Sequence, residues 1–218
     1  MFDYEIKKQI VDVCHIMAED GVVGTFEGNV SVKDGDRIYL TPTRQSKKLL
    51  TEGKIIVTDL NGNIVEGQLK STSETPMHCK CYELRDDIGA VVHCHAPFAT
   101  AWAQANKTIE LKHSHEFIMM FGKVPCLPYG TPGSLDIIAG LEDVIMEYDV
   151  VLLGNHGVLA VGETAFEAYS KIASLEMLLK TECIRKIMFG EATNNIPEEE
   201  AKKLAEKNFF NRGHHGKK

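Results

Sequence analysis

The chain has 218 residues, a formal net charge of −7, 44% hydrophobic residues and 25% charged residues. An acidic chain without a basic cluster is poorly suited to nucleic acid, which binds clustered Lys and Arg. The length allows one sizeable core and is short for two. We therefore expect a single domain over residues 1–218, with a core from about 3 to 190 and a C-terminal helix and tail over 198–218.

Neither the cysteines nor the apolar runs indicate export or membrane insertion. Six cysteines are present without a CxxC pair, and the first residues show charged helical periodicity, unlike the apolar core of a signal peptide. No apolar run approaches the roughly 18 residues that a membrane helix needs. We expect reduced thiols, no membrane contact and a cytoplasmic location.

Hydrophobic periodicity and turn residues predict alternating helices and strands. Residues 3–20 form an amphipathic helix, followed by hairpins with turns at Asp34-Gly35 and Asn61-Gly62. The stretch "STSETPMHCKCYELR" begins as helices do, with hydroxyl residues and a proline, and leads into the strand "IGAVVHCHAP". The later elements are a short helix in "PFATAWAQA", a strand in "KVPCLPYG", a helix over 134–148, two strands in "DVVLLGNHGVLAVG", a helix over 164–189 and a last helix over about 198–210.

The order of these elements indicates the fold class. Helices alternate with strands, but several strand pairs are hairpins and therefore antiparallel. The apolar start of "IGAVVHCHAP" indicates burial on both faces of the sheet. We predict an α/β fold with three layers, in which a central mixed, largely antiparallel sheet is covered by helices on both faces.

Two histidines lie two residues apart at the end of that strand. Because strand side chains alternate between faces, His93 and His95 point the same way and Cys94 points the opposite way. Two imidazoles about 7 Å apart along a strand can converge on one cation, and Cys94 is not expected to join them. By itself, the pair is more simply interpreted as two ordinary strand histidines.

A third histidine changes that interpretation. His156 in "LLGNHGVLAV" occupies a tight turn between two apolar strands, where Gly154 and Gly157 permit sharp backbone geometry. Alone, it would be a turn histidine bonded to nearby backbone. Three histidines at the ends of buried strands instead suggest a tri-histidine metal site with an open fourth position, as in catalytic centres.

A carboxylate and three hydroxyl groups come together in "STSETP", at the start of a predicted helix. Glu74 suits a fourth metal ligand or a general base beside the metal, and it also suits a carboxylate that interacts with the helix dipole. Ser71, Thr72 and Ser73, with the free N–H groups of a helix start, suit an anion such as phosphate or simple capping.

Taken in order, the motifs G-N-V-S, T-P-T, S-T-S-E, H-x-H and N-H-G resemble the class II aldolase and adducin family over about residues 20–190. The resemblance implies that Glu74 is the catalytic acidic residue, which takes a proton from the substrate. It implies zinc ligation by His93, His95 and His156. It also implies phosphate binding by Asn29, Thr43, Thr72 and Ser73.

The resemblance further implies a reaction and an assembly. In the sugar-phosphate aldolase branch of the family, the metal stabilises the enediolate formed when the C3–C4 bond of a phosphorylated ketose breaks. The products are dihydroxyacetone phosphate and an aldehyde. Three imidazoles accept Zn²⁺ and also Mn²⁺, Co²⁺ or Fe²⁺. Family members are homotetramers with active sites between neighbouring subunits.

The chain departs from the family at Arg44, where "TPTRQS" replaces the usual glycine that brings a backbone N–H close to phosphate. Arg44 either adds a charge-assisted contact to a phosphate or carboxylate, or fills the pocket and alters the anion site. A substrate with a different anionic end is slightly favoured.

The family's tyrosine acids are also absent. The segment "KHSHEFIMMFG" offers Glu116 or His115, and "EKNFFNRG" offers Phe209, Phe210 and Arg212. Glu116 in "SHEF" resembles a glutamate of the family's dehydratase branch, or it is a solvated surface carboxylate.

Other stretches resemble a neighbouring branch. "SETPMHCKCYE" and "ATAWAQA" are similar to the phosphopentose 4-epimerases. Epimerisation, sugar-phosphate dehydration and sugar-acid phosphate decarboxylation on the same metal site are therefore alternatives to cleavage. A non-catalytic scaffold is disfavoured because the three histidines and Glu74 are all present. We expect His78 to be structural and His113 to be interfacial.

Overall fold

The computed structural model describes residues 2–131, 133–192, 194–207 and 210. Its helices are α1 (Asp3–Glu19), α2 (Thr75–Leu84), α3 (Pro97–Gln104), α4 (His115–Met120), α5 (Leu141–Val144), α6 (Ala165–Phe189) and α7 (Glu198–Ala205). Its strands are β1 (Asn29–Asp34), β2 (Arg37–Leu40), β3 (Ile56–Asp59), β4 (Ile64–Glu66), β5 (Ala90–Cys94), β6 (Cys126–Leu127), β7 (Val150–Leu153) and β8 (Gly157–Gly162).

The strands form one mixed sheet in the order β4-β3-β2-β1-β5-β8-β7-β6. The pairs are antiparallel except for β6 with β7, which run parallel. The two predicted hairpins are present as β1–β2 and β3–β4. The central strand β5 lies between β1 and β8, so its end is enclosed on both sides.

Strand alternation divides the core into two layers. On β5, Val92 and Cys94 pack into the larger apolar cluster, which includes buried residues of α1, α3 and α6. Val91 packs into the second cluster, which includes residues of α2 and α5. The predicted three-layer α/β architecture, with helices on both faces of a largely antiparallel sheet, is therefore confirmed.

The prediction of a single helix over 134–148 is wrong. The segment forms a 3₁₀ turn at Leu135–Ile138 and the short helix α5, separated at Gly140, whose φ of 83° is left-handed and interrupts helical geometry. The apolar spacing of Ile138, Leu141 and Ile145 looks continuous because all three side chains enter the same core cluster. Helix α4 was not predicted. The last helix ends at Ala205 within the described residues.

None of the helices described by the structure is long and apolar enough to span a membrane.

Candidate metal centre and anion pocket

His93, in β5, and His95, directly after it, lie on one side of the strand, as predicted. The rings of His93 and His95 have centroids 5.1 Å apart, while Cys94 is buried in the cluster on the opposite face. His93 is fully buried, and its Nδ1 lies 2.9 Å from the Val158 carbonyl oxygen on β8. Because a carbonyl only accepts, Nδ1–H donates this bond, and Nε2 keeps a free lone pair for a metal.

His156 approaches the pair from the turn between β7 and β8. Its ring stacks on His93 with centroids 4.8 Å apart and planes 7° from parallel. The close approach requires glycine at the next position, because a Cβ on Gly157 would lie 2.6 Å from the Cys94 carbonyl oxygen and 2.9 Å from His95 Cδ2. The Asn/Gly-rich turn therefore serves to bring the third imidazole against the other two.

The three imidazoles match the geometry of a metal site. His156 Nε2 lies 3.1 Å from His93 Nε2 and 3.4 Å from His95 Nε2. All three ligand atoms lie within 4.8 Å of one another. Tetrahedral bonds of 2.0–2.1 Å place ligand nitrogens about 3.3 Å apart, so the cluster fits a divalent ion. Burial lowers the pKa of His93 to about 3 and also lowers that of His95, so both are neutral near pH 7.

Glu74 closes the remaining side of this cluster. It precedes α2 and is 9% exposed, with Oε1 2.8 Å from His156 Nε2 and Oε2 3.5 Å from His93 Nε2. Burial alone would raise the pKa of the Glu74 carboxyl. The histidines and the hydrogen bonds from His156 and Asn29 outweigh burial, so that this pKa lies below its ordinary range. Glu74 is therefore an ionised carboxylate beside the metal position.

A directed chain of hydrogen bonds holds Glu74. Its Oε2 only accepts, so Asn29 Nδ2 donates to it over 2.6 Å, which turns Asn29 Oδ1 toward His78 Nε2. His78 therefore donates from Nε2 and accepts at Nδ1 from Ser31 Oγ, 2.6 Å away. Ser31 in turn accepts from the Tyr82 hydroxyl over 2.7 Å. Every polar atom of this buried chain has a defined role.

The expectation that His78 is structural agrees with this position, while the sequence analysis gives Ser31 and Tyr82 no role. The sequence spacing of Ser31 and Tyr82 could have indicated that both lie near His78. Ser31 lies two residues after Asn29 on β1 and so shares its face, and Tyr82 lies four residues after His78 on α2. Burial lowers the pKa of His78 to about 4, in agreement with the neutral tautomer that the chain requires.

The predicted anion-binding residues line a cavity of about 200 Å³ that opens onto this cluster. The two segments that carry them are joined by the hydrogen bond from the Thr43 N–H to the Lys70 carbonyl oxygen, 3.0 Å long. The lining includes Asn29, Thr43, Arg44, Thr72, Ser73, Glu74, His95 and His156. The fold thus brings together residues that are far apart in sequence.

Arg44, where the family resemblance implies a glycine, has a backbone conformation typical of glycine. Its φ is 54°, in the left-handed region that glycine adopts without strain. Its side chain is exposed at the cavity rim, and no hydrogen bond or ion pair of its guanidinium occurs among the residues that the structure describes. This position favours a role for Arg44 as an added cation at the pocket over a side chain that fills the pocket.

Other candidate residues lie away from the cavity. Glu116 is exposed in the first turn of α4 and does not line it, so a catalytic role for Glu116 remains a prediction. His113 contacts Glu182 of the same chain, with His113 Nε2 2.9 Å from Glu182 Oε2. Phe210 packs on Phe121, and Phe209 and Arg212 lie outside the described residues.

Comparison with known proteins assigns the family. The model of the class II aldolase and adducin N-terminal domain family matches residues 8–183. The chain belongs to this family. It is an enzyme of the class II aldolase type, a lyase, with a three-histidine cluster suited to a metal ion.

The class II aldolase is similar to proteins named L-fuculose phosphate aldolase. It is 38% identical to that of Methanocaldococcus jannaschii over 170 residues, which cover 78% of this chain and 91% of the relative. The Methanococcus maripaludis relative is 38% identical over 168 residues, covering 77% and 91%. A solved structure of L-fuculose 1-phosphate aldolase superimposes with a TM-score of 0.84 and 28% identity, covering 93% of this chain and 95% of that one.

Proposed function

We propose that this class II aldolase is a single-domain, zinc-dependent enzyme that cleaves a phosphorylated ketose, similar to L-fuculose 1-phosphate, into dihydroxyacetone phosphate and an aldehyde. The observation that carries the proposal is the shared cavity. His95 and His156 of the tri-histidine cluster, the ionised Glu74, and the hydroxyl residues and Arg44 of the anion pocket all line one space, with His93 buried behind them.

The residues of the cavity divide the work of cleavage. Thr43, Thr72 and Ser73 anchor the phosphate through their hydroxyl groups, with Arg44 as a charge-assisted contact at the rim. This anchoring places the carbonyl end of the ketose toward the histidines. As the C3–C4 bond breaks, the C4 hydroxyl loses its proton and the electron pair moves toward the C2 carbonyl. Glu74 accepts that proton from the C4 oxygen and delivers it to C3 of the departing fragment.

A divalent ion held by the three histidines would act as a Lewis acid that stabilises the developing negative charge. Neutral imidazole ligands leave the ion its full double charge. Zinc is favoured by the tetrahedral spacing of the nitrogens, and Mn²⁺, Co²⁺ and Fe²⁺ are the competitors. Metal analysis of protein purified without added metal tests this choice, and another ion in stoichiometric amount would contradict zinc.

The proposal includes a cytoplasmic homotetramer with active sites between neighbouring subunits. It is supported by exposed apolar side chains, both beside the cavity at Phe26 and along the last turns of α6 at Ile187, Met188 and Phe189. Sedimentation equilibrium tests the assembly, because a monomer at micromolar concentration would contradict it.

A second reaction on the same site remains an alternative. Arg44 is a cation that the phosphate-binding glycine of other family members does not supply, and it suits a substrate with a different anionic end. Epimerisation of a phosphopentose at C4, dehydration of a sugar phosphate and decarboxylation of a sugar-acid phosphate are the alternatives. An isomer, a dehydrated product with an intact carbon chain, or carbon dioxide would identify each.

The experiment that tests the proposal is a substrate panel with metal-loaded protein. Ketose 1-phosphates, phosphopentoses and sugar-acid phosphates are each supplied, and dihydroxyacetone phosphate is detected with a coupled dehydrogenase. Release of dihydroxyacetone phosphate from at least one ketose 1-phosphate supports cleavage. A panel that yields only isomers, dehydrated products or carbon dioxide contradicts it.

A further inference from the structure

Lys47 is a buried lysine bonded to the segments that carry Phe26 and Arg44, two residues of the cavity lining. It follows Arg44 by three residues and begins the 3₁₀ turn Lys47–Leu49, yet it is only 1% exposed. Lysine side chains normally extend their charged end into water, and a fully buried lysine is rare unless it is paired. The burial of the Lys47 side chain therefore requires a physical explanation.

The ammonium group joins the two segments that form one wall of the cavity. Lys47 Nζ donates to the Phe26 carbonyl oxygen over 3.2 Å and to the Gln45 carbonyl oxygen over 3.3 Å. Phe26 lines the cavity, and Gln45 follows Arg44, which also lines it. Phe26 and Gln45 are 19 residues apart in sequence, and Lys47 ties their two segments together.

No carboxylate in the described part of the chain lies within 4 Å of this ammonium, so its charge is not neutralised by direct contact. Burial lowers the pKa of Lys47, while Cys14, Glu27 and Glu74 act in the opposite direction. Glu27 and Glu74 both line the cavity. The positive potential of Lys47 therefore reaches into the cavity, where weak screening makes a charge more effective than at the surface.

We propose that Lys47 is a positioning residue for the anionic end of the substrate, which ties the Phe26 segment to the Gln45 segment and supplies a fixed positive charge behind the pocket. A bound anion compensates a buried cation that is otherwise costly. The inference rests on the proposed function, because the anion in question is the phosphate of the substrate.

The test is binding of inorganic phosphate to the metal-loaded full chain, followed by calorimetry, with metal content measured in parallel. Lys47→Met removes both the charge and the donors at similar length, and Lys47→Gln removes the charge but keeps an N–H donor. Lys48→Met is the matched control, because Lys48 is the exposed neighbour and its loss changes the net charge equally. Thr43→Val reports whether phosphate occupies the pocket.

We expect Lys47→Met and Lys47→Gln to weaken phosphate binding about tenfold with unchanged metal content, and Lys48→Met to stay within about twofold of the wild type. With a phosphorylated ketose, KM should rise more than kcat falls. A merely structural role would reduce metal content and kcat together.

Four outcomes overturn the inference. The first is wild-type phosphate affinity in a folded Lys47 variant, and the second is an equal loss of phosphate affinity in Lys48→Met. The third is phosphate binding that Thr43→Val leaves unchanged. The fourth is failure of both Lys47 variants to fold, which would make Lys47 a general structural residue. Phosphate binding with the expected Lys47 dependence, but no cleavage of any ketose phosphate, would contradict the proposed function and leave Lys47 as an anion-positioning residue.

Discussion

Asn29 Nδ2 donates a 2.6 Å hydrogen bond to Glu74 Oε2, and this contact links a buried polar chain to the metal cluster. The amide cannot rotate without losing the bond that its Oδ1 accepts from His78. Asn29 was expected to bind phosphate, and its position on the cavity lining is compatible with that role. Its direct contacts show that it also orients the carboxylate.

The first prediction concerns His78, which touches neither the metal position nor the cavity. His78→Leu leaves Asn29 Oδ1 without its donor and the Ser31 hydroxyl without its acceptor. It should lower kcat about ten- to hundredfold, the usual effect of losing support behind a metal site. His78→Gln carries both a donor and an acceptor and should recover most of the activity. Equal loss in the two variants, measured at equal metal content, would contradict the directed chain.

The second prediction is a pH dependence of stability. The pKa of His78 is about 4 in the folded protein, against 6.5 for an exposed histidine, because burial disfavours the charged form. The unfolded chain therefore binds a proton that the folded chain does not, so stability is lost as the pH falls from 6.5 through 4. His78 contributes up to roughly 3 kcal/mol to this loss.

Urea unfolding of metal-free protein at pH 7, 5 and 4 measures the effect. The free energy of unfolding should fall less steeply with acid in His78→Gln than in the wild type. His93 remains in both proteins, so the residual slope serves as an internal reference. Parallel slopes would show that His78 is not held neutral.

The third prediction separates the two faces of β5. His156→Ala removes one of three converging nitrogens and should abolish stoichiometric metal binding, as measured by elemental analysis. Cys94→Ala is the matched control, because Cys94 lies between His93 and His95 in sequence but packs on the opposite face. A folded Cys94→Ala protein without metal would place the thiol in the site and contradict the strand geometry.

The fourth prediction concerns the backbone of Arg44. Arg44→Gly should raise the free energy of unfolding by about 1 kcal/mol, because glycine adopts a φ of 54° without strain. The same change should raise KM for a phosphorylated ketose and leave unphosphorylated substrates unaffected. Arg44→Asn tolerates the left-handed backbone without the charge and separates the two effects. A gain of activity on ketose 1-phosphates in Arg44→Gly would show that the side chain obstructs the pocket.

Local rules predicted the parts of the site that depend on strand periodicity and turns. Alternation of side chains along the strand placed His93 and His95 on one face and excluded Cys94 from the metal site. The glycines around His156 indicated a sharp turn. The strand-end and helix-start positions of His156 and Glu74 suggested that both could join the pair, and the family resemblance then implied their roles. Their adjacency itself depends on the order of strands in the sheet. No spacing rule places β8 beside β5.

Other features depend on tertiary packing in a way that sequence does not show. From the sequence, Lys47 would be predicted to lie at the surface. In the fold, its Nζ donates to the Phe26 and Gln45 carbonyl oxygens. The connection of Ser31 to His78 requires α2 to lie over the β1 face of the sheet. A glycine inside a helix costs only about 1 kcal/mol of stability, so the sequence did not exclude a continuous helix through Gly140. In the structure Gly140 has a left-handed φ, and the chain turns there.

The central claim is that the three histidines and Glu74 form a site for cleavage of a ketose phosphate. The most direct measurement is release of dihydroxyacetone phosphate from L-fuculose 1-phosphate and related ketose 1-phosphates, with wild type and Glu74→Gln at equal metal content. We expect equimolar dihydroxyacetone phosphate and aldehyde from the wild type. Release from Glu74→Gln should be at least a hundredfold slower, because the proton-transfer group is removed. Absence of dihydroxyacetone phosphate with metal-loaded wild type, or undiminished release by Glu74→Gln, would contradict it.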